Sequence, residues 1–386
     1  MSLFLLTIAW LFLLSCFFLV IGALYFTREN LTPGPWESTS GLPPLSVIVP
    51  ARNEEKNIER CVASLLNQSY PEAKYHIIVV DDNSTDATAS IVSALQAKHP
   101  NLELVRAGLL AEGWSGKNNA CWKGVQHADG KWYCFIDADT QSKPELLETA
   151  VAFAEAKKID MLSINPFQEV LSFSERLLLP GVFLPIACSM NFGKVNDPSK
   201  PEAAANGQFM LFRQTAYEAI NGHRAVRDEV MEDMAFARVV KKAGLRLYWI
   251  FGEKLISTRM YRGLSHIWEG FSKNLTEIMR NRNTAGSMCV AVKSLLLGWM
   301  PIVMPLWTFF AQRAETHALH LWAFLLSAFG SASMLVLSVL VVRALRIPFV
   351  YVLSLPLGFT LHALLTISSL RNRKRGQRKW KGRVYS

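Results

Sequence analysis

The sequence LSVIVPARNEEKNIERCVASLLNQSYPEAKYHIIVVDDNSTD, residues 45–86, decides the fold. It contains two runs of apolar, β-branched residues that are typical of buried strands, separated by a segment with the apolar spacing of an amphipathic helix. The same alternation continues downstream. Strands that alternate with helices predict an α/β fold with a doubly wound, mostly parallel sheet, in which ligands bind beyond the carboxyl ends of the strands. The predicted elements are strands at 46–50, 76–80, 102–106 and 132–136, and helices at 57–68 and 87–98.

Long apolar segments flank this α/β region. The chain has 386 residues, is 51% hydrophobic and carries a formal net charge of +10. Residues 3–26 are almost unbroken apolar sequence, enough for the roughly 20 residues that cross a bilayer, and they lack the basic start and cleavage site of a signal peptide. Three more apolar segments lie at 290–310, 319–342 and 347–370. We therefore expect a multi-pass protein of the cytoplasmic (inner) membrane, with the α/β domain in the cytoplasm.

These patterns predict the domain organisation. Segment 176–192 is apolar but is interrupted by Pro180 and Pro185. We interpret it as a helix that lies at the membrane interface, with a buried core helix as the alternative. The predicted parts are a transmembrane anchor at 1–28, a linker at 29–44, the α/β domain at 45–288, membrane segments at 289–370 and a basic tail at 371–386.

The basic tail constrains the topology. Residues 371–383 read RNRKRGQRKWKGR, which beside an apolar segment is typical of a cytoplasmic anchor on anionic lipid, a solvated tail being the alternative. No nucleic-acid-binding module accompanies it, so we expect no nucleic-acid partner. If all three C-terminal segments crossed, the tail would lie outside, against the positive-inside tendency. Either one segment is re-entrant or the charge rule fails, and Pro301 and Pro305 make 290–310 the expected re-entrant segment.

The cysteines predict neither a disulfide framework nor a zinc site. All six are scattered along the chain without a CxxC pair. This usage fits a reducing compartment for the central domain.

Two acidic clusters follow predicted strands. Asp81 and Asp82 end the second strand in VVDDNSTD, where a carboxylate could accept a nucleobase imide N–H or a ribose hydroxyl; the alternative is a capped helix start. Asp137 and Asp139 end the fourth strand in CFIDADT. Paired carboxylates at such a place suit Mg²⁺ or Mn²⁺, whose coordination is completed by phosphate oxygens.

Two further segments carry candidate functional groups. Glu232 and Asp233 precede an apolar helical face, where acids either complement the helix dipole or accept a proton in catalysis. The loop GWSGKNN at 113–119 allows close backbone approach, and Lys117 offers a point charge for a diphosphate. The alternative for Lys117 is a solvated surface side chain, and the spacing is not that of a P-loop.

Together these motifs resemble the family 2 glycosyltransferases with a GT-A fold. The resemblance covers about residues 45–251, through the blocks VIVPARNEEKNIERCVASLLNQSYP, VVDDNSTDAT, GWSGKNNA, FIDADT and MEDMAFARVVKKAG. The segments VNDPSKPEAAANGQFMLFR, TRMYRGLSHIWEGFSKN and WKGRVY resemble membrane-bound bacterial enzymes that glycosylate lipids. These are the hopanoid-associated and carotenoid glycosyltransferases, which are related to ceramide glucosyltransferase.

The resemblance implies an inverting, metal-dependent hexosyltransferase. It would move a sugar from a nucleotide-sugar, by family precedent a UDP-sugar, to a hydroxyl of a hopanoid, carotenoid or sphingolipid-like membrane lipid. It implies Mg²⁺ or Mn²⁺ bound by Asp139 and Asp137, and Asp233 as the base with Glu232 beside it. The implied donor-binding residues are Pro50, Arg52, Glu54, Asp81, Asp82, Lys117, Asp137, Arg259 and Arg262. The acceptor candidates are Gly207, Gln208 and Trp268.

One departure from the family pattern keeps alternatives open. Processive members and the ceramide enzymes carry a Q/R-x-x-R-W block, of which this chain has Arg259 and Arg262 but Gly263 in place of tryptophan. Trp268 could substitute. A polysaccharide synthase or polyprenyl-phosphate sugar transferase is therefore the second hypothesis. A membrane scaffold with a degenerate transferase fold is the third, and the intact Asp82, Asp139 and Asp233 argue against it.

Overall fold

The chain folds into two compact units. The computed structural model describes residues 2–34, 41–278, 283–311, 317–374, 378–380 and 383–385. One unit comprises Thr27–Glu169 and Asn191–Met260, and we call it the α/β unit; the other comprises Met1–Phe26, Val170–Met190 and Tyr261–Ser386, and we call it the helical unit. Residues 35–40 of the predicted linker, and 375–377, 381–382 and 386 of the predicted tail, lie outside the described residues.

The helices and strands have the following bounds. The helices are α1 Ser2–Phe26, α2 Ile58–Leu66, α3 Thr88–Gln96, α4 Gly116–Val125, α5 Leu146–Ala156, α6 Phe173–Cys188, α7 Phe192–Asn196, α8 Gln214–Ala219, α9 Glu232–Lys242, α10 Leu264–Ile278, α11 Thr284–Phe310, α12 His317–Ala344 and α13 Leu355–Lys374. The strands are β1 Leu45–Ala51, β2 Tyr75–Asp81, β3 Leu102–Arg106, β4 Trp132–Ile136, β5 Thr140–Ser142, β6 Met161–Asn165, β7 Phe167–Gln168, β8 Phe209–Arg213, β9 Leu247–Phe251, β10 Ile256–Thr258, β11 Arg378–Trp380 and β12 Arg383–Tyr385.

The α/β unit is built on a mostly parallel sheet, as the sequence predicts. Among the described residues, seven strands form this sheet in the order β3-β2-β1-β4-β8-β6-β9. The pairs β1–β2, β1–β4, β2–β3 and β6–β9 are parallel, whereas β8 runs antiparallel to both β4 and β6. A second, small sheet has the order β5-β10-β7. The predicted α/β class is therefore confirmed, with β8 as the antiparallel exception.

The central strands are apolar on both faces because helices cover both faces. Val47 and Val49 of β1 belong to one continuous core that includes Ile58 of α2 and Leu146 of α5. On the opposite face, a Cβ added to Gly124 of α4 would lie 2.6 Å from Ile48 Cγ2. Burial on both faces is the reason that strands of this kind read as continuous hydrophobic runs.

The helical unit contains the predicted membrane segments. Four stretches of the described chain are long and apolar enough to cross a membrane: Leu3–Phe26, Thr284–Phe310, Ala318–Ala344 and Phe349–Lys374. They match the predicted segments within a few residues. The predicted interfacial segment 176–192 corresponds to α6, which continues through Pro180 and Pro185; its position at a membrane surface stays a prediction.

Helix α6 packs against α13 through two glycines. A Cβ on Gly181 would lie 2.5 Å from the carbonyl carbon of Gly358, and a Cβ on Gly358 would lie 2.7 Å from the Cα of Gly181. Only glycine allows backbones to approach this closely, as in small-residue contacts between membrane helices. The contact therefore fixes α6 to the same bundle as the apolar segments.

Candidate active site

The order of the strands brings the predicted donor-side residues to one edge of the sheet. β1 lies between β2 and β4, and all three are parallel, so their carboxyl ends meet. Asp81 and Asp82 lie at the end of β2, Asp137 and Asp139 follow β4, and Pro50 and Arg52 lie at the end of β1. This is the edge at which open α/β sheets bind ligands.

The loops after β1 and β2 are tied together by side chains from the predicted set. Arg52 Nη1 donates to the carbonyl oxygens of Asp82 at 2.6 Å and Asn83 at 3.2 Å. The Asp81 carboxylate, 1% exposed, accepts from Arg106 Nη1 at 2.7 Å and from the Ser84 N–H at 3.2 Å. Asp81 therefore has structural partners on the neighbouring strand and in its own loop.

Glu54 is held beside the start of α2. Its carboxylate accepts from Asn57 Nδ2 at 2.7 Å, and its backbone N–H donates to Thr88 Oγ1 at the same distance. Burial raises the pKa of Asp137, and the Glu54 charge adds to this rise. Glu54 follows the end of β1 by three residues, which places it at the same edge of the sheet as the rest of the predicted donor set.

Lys117 connects two of the predicted acidic positions. It lies in the first turn of α4, where Ser115 Oγ caps the helix by accepting from the Asn118 N–H. Its Nζ lies 2.6 Å from Asp137 Oδ1 and 2.7 Å from Glu232 Oε1, and it donates to the Gly207 carbonyl at 3.5 Å. Residues from four separate stretches of sequence thus meet at one ammonium group.

The charges of this cluster shift the pKa values of its members. Burial by itself lowers the pKa of Lys117, but the Asp137 and Glu232 carboxylates outweigh it and hold that pKa well above its ordinary value. Burial raises the pKa of Asp137, and the ammonium group of Lys117 offsets part of this rise. Lys117 therefore stays charged at neutral pH and can attract an anionic group.

Asp233 occupies the next position on α9 and has a perturbed carboxyl group. One oxygen accepts from the Gly207 N–H at 3.0 Å and the other from the Met234 N–H at 2.7 Å. Burial raises the pKa of Asp233 to about 6, and the neighbouring Glu232 charge contributes to the rise. A carboxylate with a pKa just below neutrality is suited to accept a proton at physiological pH.

The predicted acceptor positions Gly207 and Gln208 lie against this cluster because β8 pairs with β4. Ile136 is opposite Phe209 in that pairing, and the Asp137 N–H donates to the Gln208 carbonyl at 3.3 Å. A Cβ on Gly207 would lie 3.0 Å from Glu232 Oε1. Gly207 thus leaves room for the Lys117–Glu232 contact.

Asp139 is linked to Gln208 through a threonine. β5 and β10 pair so that Thr140 is opposite Thr258. Thr258 Oγ1 donates to Asp139 Oδ1 at 3.2 Å, and Gln208 Nε2 lies 3.4 Å from the same hydroxyl. Gln208 Oε1 also accepts from Gln168 Nε2 at 3.0 Å. The second sheet therefore positions the Asp139 carboxylate at the edge of the first.

The acidic residues fit a divalent cation that takes most of its ligands from elsewhere. Over the part of the chain that the structure describes, no group of three or more His, Cys, Asp or Glu side chains could hold a metal. Asp139 and Asp137 provide carboxylates two residues apart after β4. Mg²⁺ and Mn²⁺ in such sites use one or two carboxylates together with substrate phosphates, so two carboxylates suffice.

Three predicted residues lie further along the chain. Arg259 follows β10 in the α/β unit, whereas Arg262 and Trp268 belong to the helical unit, with Trp268 40% exposed on α10. Their predicted roles with donor and acceptor stay predictions.

Sequence reasoning missed Thr258 and Arg106. Arg106 ends β3 directly opposite Asp81 in the β2–β3 register, so strand alignment could have revealed it. Thr258 immediately precedes the R-x-x-R segment but reaches Asp139 only through pairing of two three-residue strands. Strands that short leave no periodic signal in a sequence.

Known proteins share this fold and these motifs. Residues 46–219 match the family model described as Glycosyl transferase family 2. A solved structure of the mannosyltransferase PcManGT from Pyrobaculum calidifontis, in complex with GDP-Man and Mn²⁺, superposes over 97% of this chain and 98% of that chain, with a TM-score of 0.53 and 16% identity. At that identity the likeness concerns the fold alone.

Two proteins that are similar to this chain in sequence are also named as glycosyltransferases. A 4,4'-diaponeurosporenoate glycosyltransferase of Staphylococcus haemolyticus is 29% identical over 234 residues, and its namesake in Staphylococcus aureus (strain USA300) is 29% identical over 236 residues. In both cases the match spans 60% of this chain and 60% of the relative. The α/β unit therefore has a GT-A fold. The match to the family model covers residues 46–219, which is less than half of the chain.

Proposed function

We propose that this protein is an inverting glycosyltransferase that moves one sugar from a nucleotide-sugar to a hydroxyl group of a membrane lipid. The observation that carries the proposal is the cluster at the carboxyl edge of the sheet. There Lys117 lies between Asp137 and Glu232, and Asp233 follows with a pKa of about 6. This edge of the sheet therefore holds a cationic side chain that could bind a diphosphate, carboxylates that could bind a metal, and a carboxyl group whose pKa suits a general base.

The nucleotide-sugar, which we propose to be a UDP-sugar, would bind across the ends of β1, β2 and β4. Pro50, Arg52, Glu54, Asp81 and Asp82 line the β1 and β2 side of this edge and would contact the base and ribose. Lys117 would contact the diphosphate, because its pKa stays high enough to keep it charged. Arg259, which follows β10 in the same unit, would add positive charge to this region.

Asp139 and Asp137 would hold Mg²⁺ or Mn²⁺. The hydrogen bond from Thr258 Oγ1 fixes one oxygen of Asp139, which leaves the carboxylate preoriented for a ligand. When bound, the cation would bridge and neutralise the diphosphate of the donor. Asp137 already pairs with Lys117, so we propose Asp139 as the principal metal ligand, with Asp137 as the second.

Asp233 would act as the general base, with Glu232 beside it. It removes the proton from the acceptor hydroxyl, and the oxygen then attacks the anomeric carbon on the face opposite the leaving nucleoside diphosphate. The bond to the diphosphate breaks as the new glycosidic bond forms, so the configuration inverts. The Gly207 N–H holds one oxygen of Asp233 in place, while Gly207 and Gln208 would border the acceptor.

The acceptor is proposed to be a lipid for two reasons. The described chain has four stretches that are apolar and long enough to cross a membrane, which supports an acceptor that resides in a bilayer. The relatives are named for glycosyl transfer to 4,4'-diaponeurosporenoate, which supports a carotenoid-type acceptor among the hopanoid, carotenoid and sphingolipid-like candidates.

The test is a transfer assay with the full chain in detergent. Purified protein is mixed with radiolabelled UDP-sugars, Mn²⁺ or Mg²⁺ and a lipid extract. We expect label in the organic phase as a lipid bearing one sugar, with inverted anomeric configuration. A water-soluble polymer would instead establish the polysaccharide synthase, and an acid-labile product the polyprenyl-phosphate transferase. No transfer with any nucleotide-sugar would favour the scaffold hypothesis.

A further inference from the structure

Helix α12 runs antiparallel to α11. Ser331 Oγ donates to the Pro301 carbonyl at 2.5 Å, and Thr308 Oγ1 lies 3.1 Å from Ser327 Oγ. Residue numbers thus rise on α11 as they fall on α12. The Ser331 contact also explains why α11 stays continuous: Pro305 has no N–H for the Pro301 carbonyl, and the serine hydroxyl replaces it.

Helix α13 also runs antiparallel to α11. His362 Nδ1 lies 2.9 Å from Ser294 Oγ, and Trp299 Nε1 donates to Thr360 Oγ1 at 2.8 Å. A Cβ on Gly298 would lie 2.9 Å from Phe359 Cβ and 3.4 Å from Pro356 Cα. Residue numbers therefore rise along α11 as they fall along α13, so the two helices are antiparallel.

Two consecutive helices, α12 and α13, consequently run in the same direction. Two helices that each cross a bilayer and follow one another along the chain must run in opposite directions. The connection between them, residues 345–354, must instead turn back along the bundle before α13 begins. A hydrogen bond between Ser338 Oγ and the Val352 carbonyl holds this returning segment against α12.

The position at which α13 begins shows how far residues 345–354 return along the helical bundle. α13 begins at Leu355, and Pro356 and Phe359 contact Gly298, near the middle of the 27-residue helix α11. At the other end of α13, Ser369 Oγ lies 3.2 Å from Thr276 Oγ1 of α10, shortly before α11 starts. α13 thus spans from the middle of the bundle to the end where α11 begins.

The surface of the turn is apolar. Pro348 precedes a 3₁₀ helix, Phe349–Ser354, in which Phe349, Val350 and Leu353 are 64%, 79% and 78% exposed. Such a cluster in water would be costly, whereas acyl chains would cover it. These three side chains, which we call the apolar tip, therefore suit the hydrocarbon of a bilayer.

Basic residues lie at the two ends of the segment 345–374, away from the apolar tip. Arg343 and Arg346 lie at the end of α12, and Arg371, Arg373 and Lys374 are in the last turn of α13. Because α12 and α13 run in the same direction, both groups lie at the end of the bundle where α11 starts. Basic residues in short connections favour the cytoplasmic side.

We propose that residues 345–374 form a re-entrant hairpin, which enters and leaves one leaflet of the bilayer on the side where α11 begins and whose apolar tip contacts the acyl chains of that leaflet. Three stretches then cross the membrane: α1, α11 and α12. The basic tail returns to the cytoplasmic side, in agreement with the positive-inside tendency. In this proposal the re-entrant segment corresponds to the apolar segment 347–370, and the continuous helix α11 would cross the membrane instead of being the expected re-entrant segment.

The first test labels cysteines in the full chain with a membrane-impermeant maleimide. Thr316→Cys, Ala344→Cys and Ser386→Cys are made separately, each with the exposed Cys289 replaced by serine. We expect Ala344→Cys and Ser386→Cys to react only after cells are permeabilised, and Thr316→Cys to react in intact cells. Labelling of Ala344→Cys and Ser386→Cys from opposite sides would overturn the proposal.

A second test measures depth and does not depend on activity. Leu353→Cys carries a fluorophore in vesicles whose lipids bear a quencher either on the acyl chain or on the headgroup. The proposal expects stronger quenching from the acyl chain at residue 353, and from the headgroup for the control Ala344→Cys. Equal or stronger headgroup quenching at residue 353 would show that the tip stays at the surface and would overturn the hairpin.

Discussion

The ammonium group of Lys117 lies 2.6 Å from a carboxylate oxygen of Asp137, and its second partner is Glu232 at 2.7 Å. Lys117 thus joins the strand end that carries the proposed metal ligands to the helix that carries the proposed base. An incoming diphosphate and its cation would compete for both ends of this contact. Lys117 is therefore placed to affect both metal binding and proton transfer.

Replacement of Lys117 should weaken transfer strongly. Lys117→Gln removes the positive charge while keeping hydrogen-bonding capacity, so Asp137 and Glu232 face each other without compensation. We expect kcat/KM to fall by about 10²–10³-fold, the size associated with losing one preorganised electrostatic contact. Lys123→Gln, on a different face of the same helix, is the matched control and should keep most activity. Comparable losses in both variants would mean that the effect is on the helix and not on the cluster.

The activity should depend on pH through Asp233. Its pKa of about 6 means that the base is protonated and inactive in more acidic solution. We therefore expect log kcat/KM to rise with pH with unit slope below about 6 and to level off above it. An apparent pKa near the ordinary carboxylate value of about 4 would contradict a buried base beside Glu232.

The raised pKa of Asp233 also makes the stability of the folded protein depend on pH. The pKa of Asp233 is raised in the folded state, so its contribution to stability is fully present below the unfolded pKa of about 3.9 and is lost as pH rises through about 6. The difference in Tm between the protein and Asp233→Asn should change between these two pH values, and a flat difference would argue against the shift.

The hydroxyl of Thr258 should matter for metal dependence. It donates to Asp139 at 3.2 Å, so Thr258→Val leaves that carboxylate without this orienting contact while keeping the side-chain shape. We expect the metal concentration for half-maximal activity to rise by about 10-fold, within the range for partners that orient metal ligands. Thr258→Ser retains the hydroxyl and should behave like the unmodified protein. An unchanged metal requirement in the valine variant would remove Asp139 as an oriented ligand.

The glycine contact between α6 and α13 should be sensitive to one methyl group. Gly181→Ala would place its Cβ 2.5 Å from backbone of Gly358, and overpacking of this kind costs about 1–3 kcal/mol. Gly22→Ala in α1 meets no atom within 4 Å and is the control. Thermal unfolding in detergent should show a lower Tm for Gly181→Ala only. A neutral result would mean that α6 can move away from α13.

Much of the α/β unit follows from sequence because its strands are buried on both faces. The runs at 46–50, 76–80, 102–106 and 132–136 match strands within one residue at each end, and the acids that end them fall at the expected edge. The antiparallel direction of β8 could not be predicted in the same way, because it depends on the insertion of β8 between β4 and β6, which precede it by many residues along the chain. The Lys117–Glu232 contact likewise depends on residues 115 positions apart meeting in space.

The direction of α13 shows where sequence patterns are insufficient. Its hydropathy is that of a crossing helix, and composition carries no information on whether a helix runs parallel or antiparallel to its neighbours. The contacts Ser294–His362 and Trp299–Thr360 decide the direction. Pro305 predicts an interruption of α11, because it has no N–H to donate to the Pro301 carbonyl. The Ser331 hydroxyl donates to that carbonyl instead, and the helix continues.

The central claim is tested most directly by mass spectrometry of lipids from cells that produce either the unmodified protein or Asp233→Asn at equal membrane levels. The account predicts a lipid heavier by one hexose with the unmodified protein and its absence with Asp233→Asn, while the variant still binds the nucleotide-sugar. Asp228→Asn serves as the control and should give the same glycolipid as the unmodified protein. The glycolipid appearing at an undiminished level with Asp233→Asn, or with neither protein, would contradict the account.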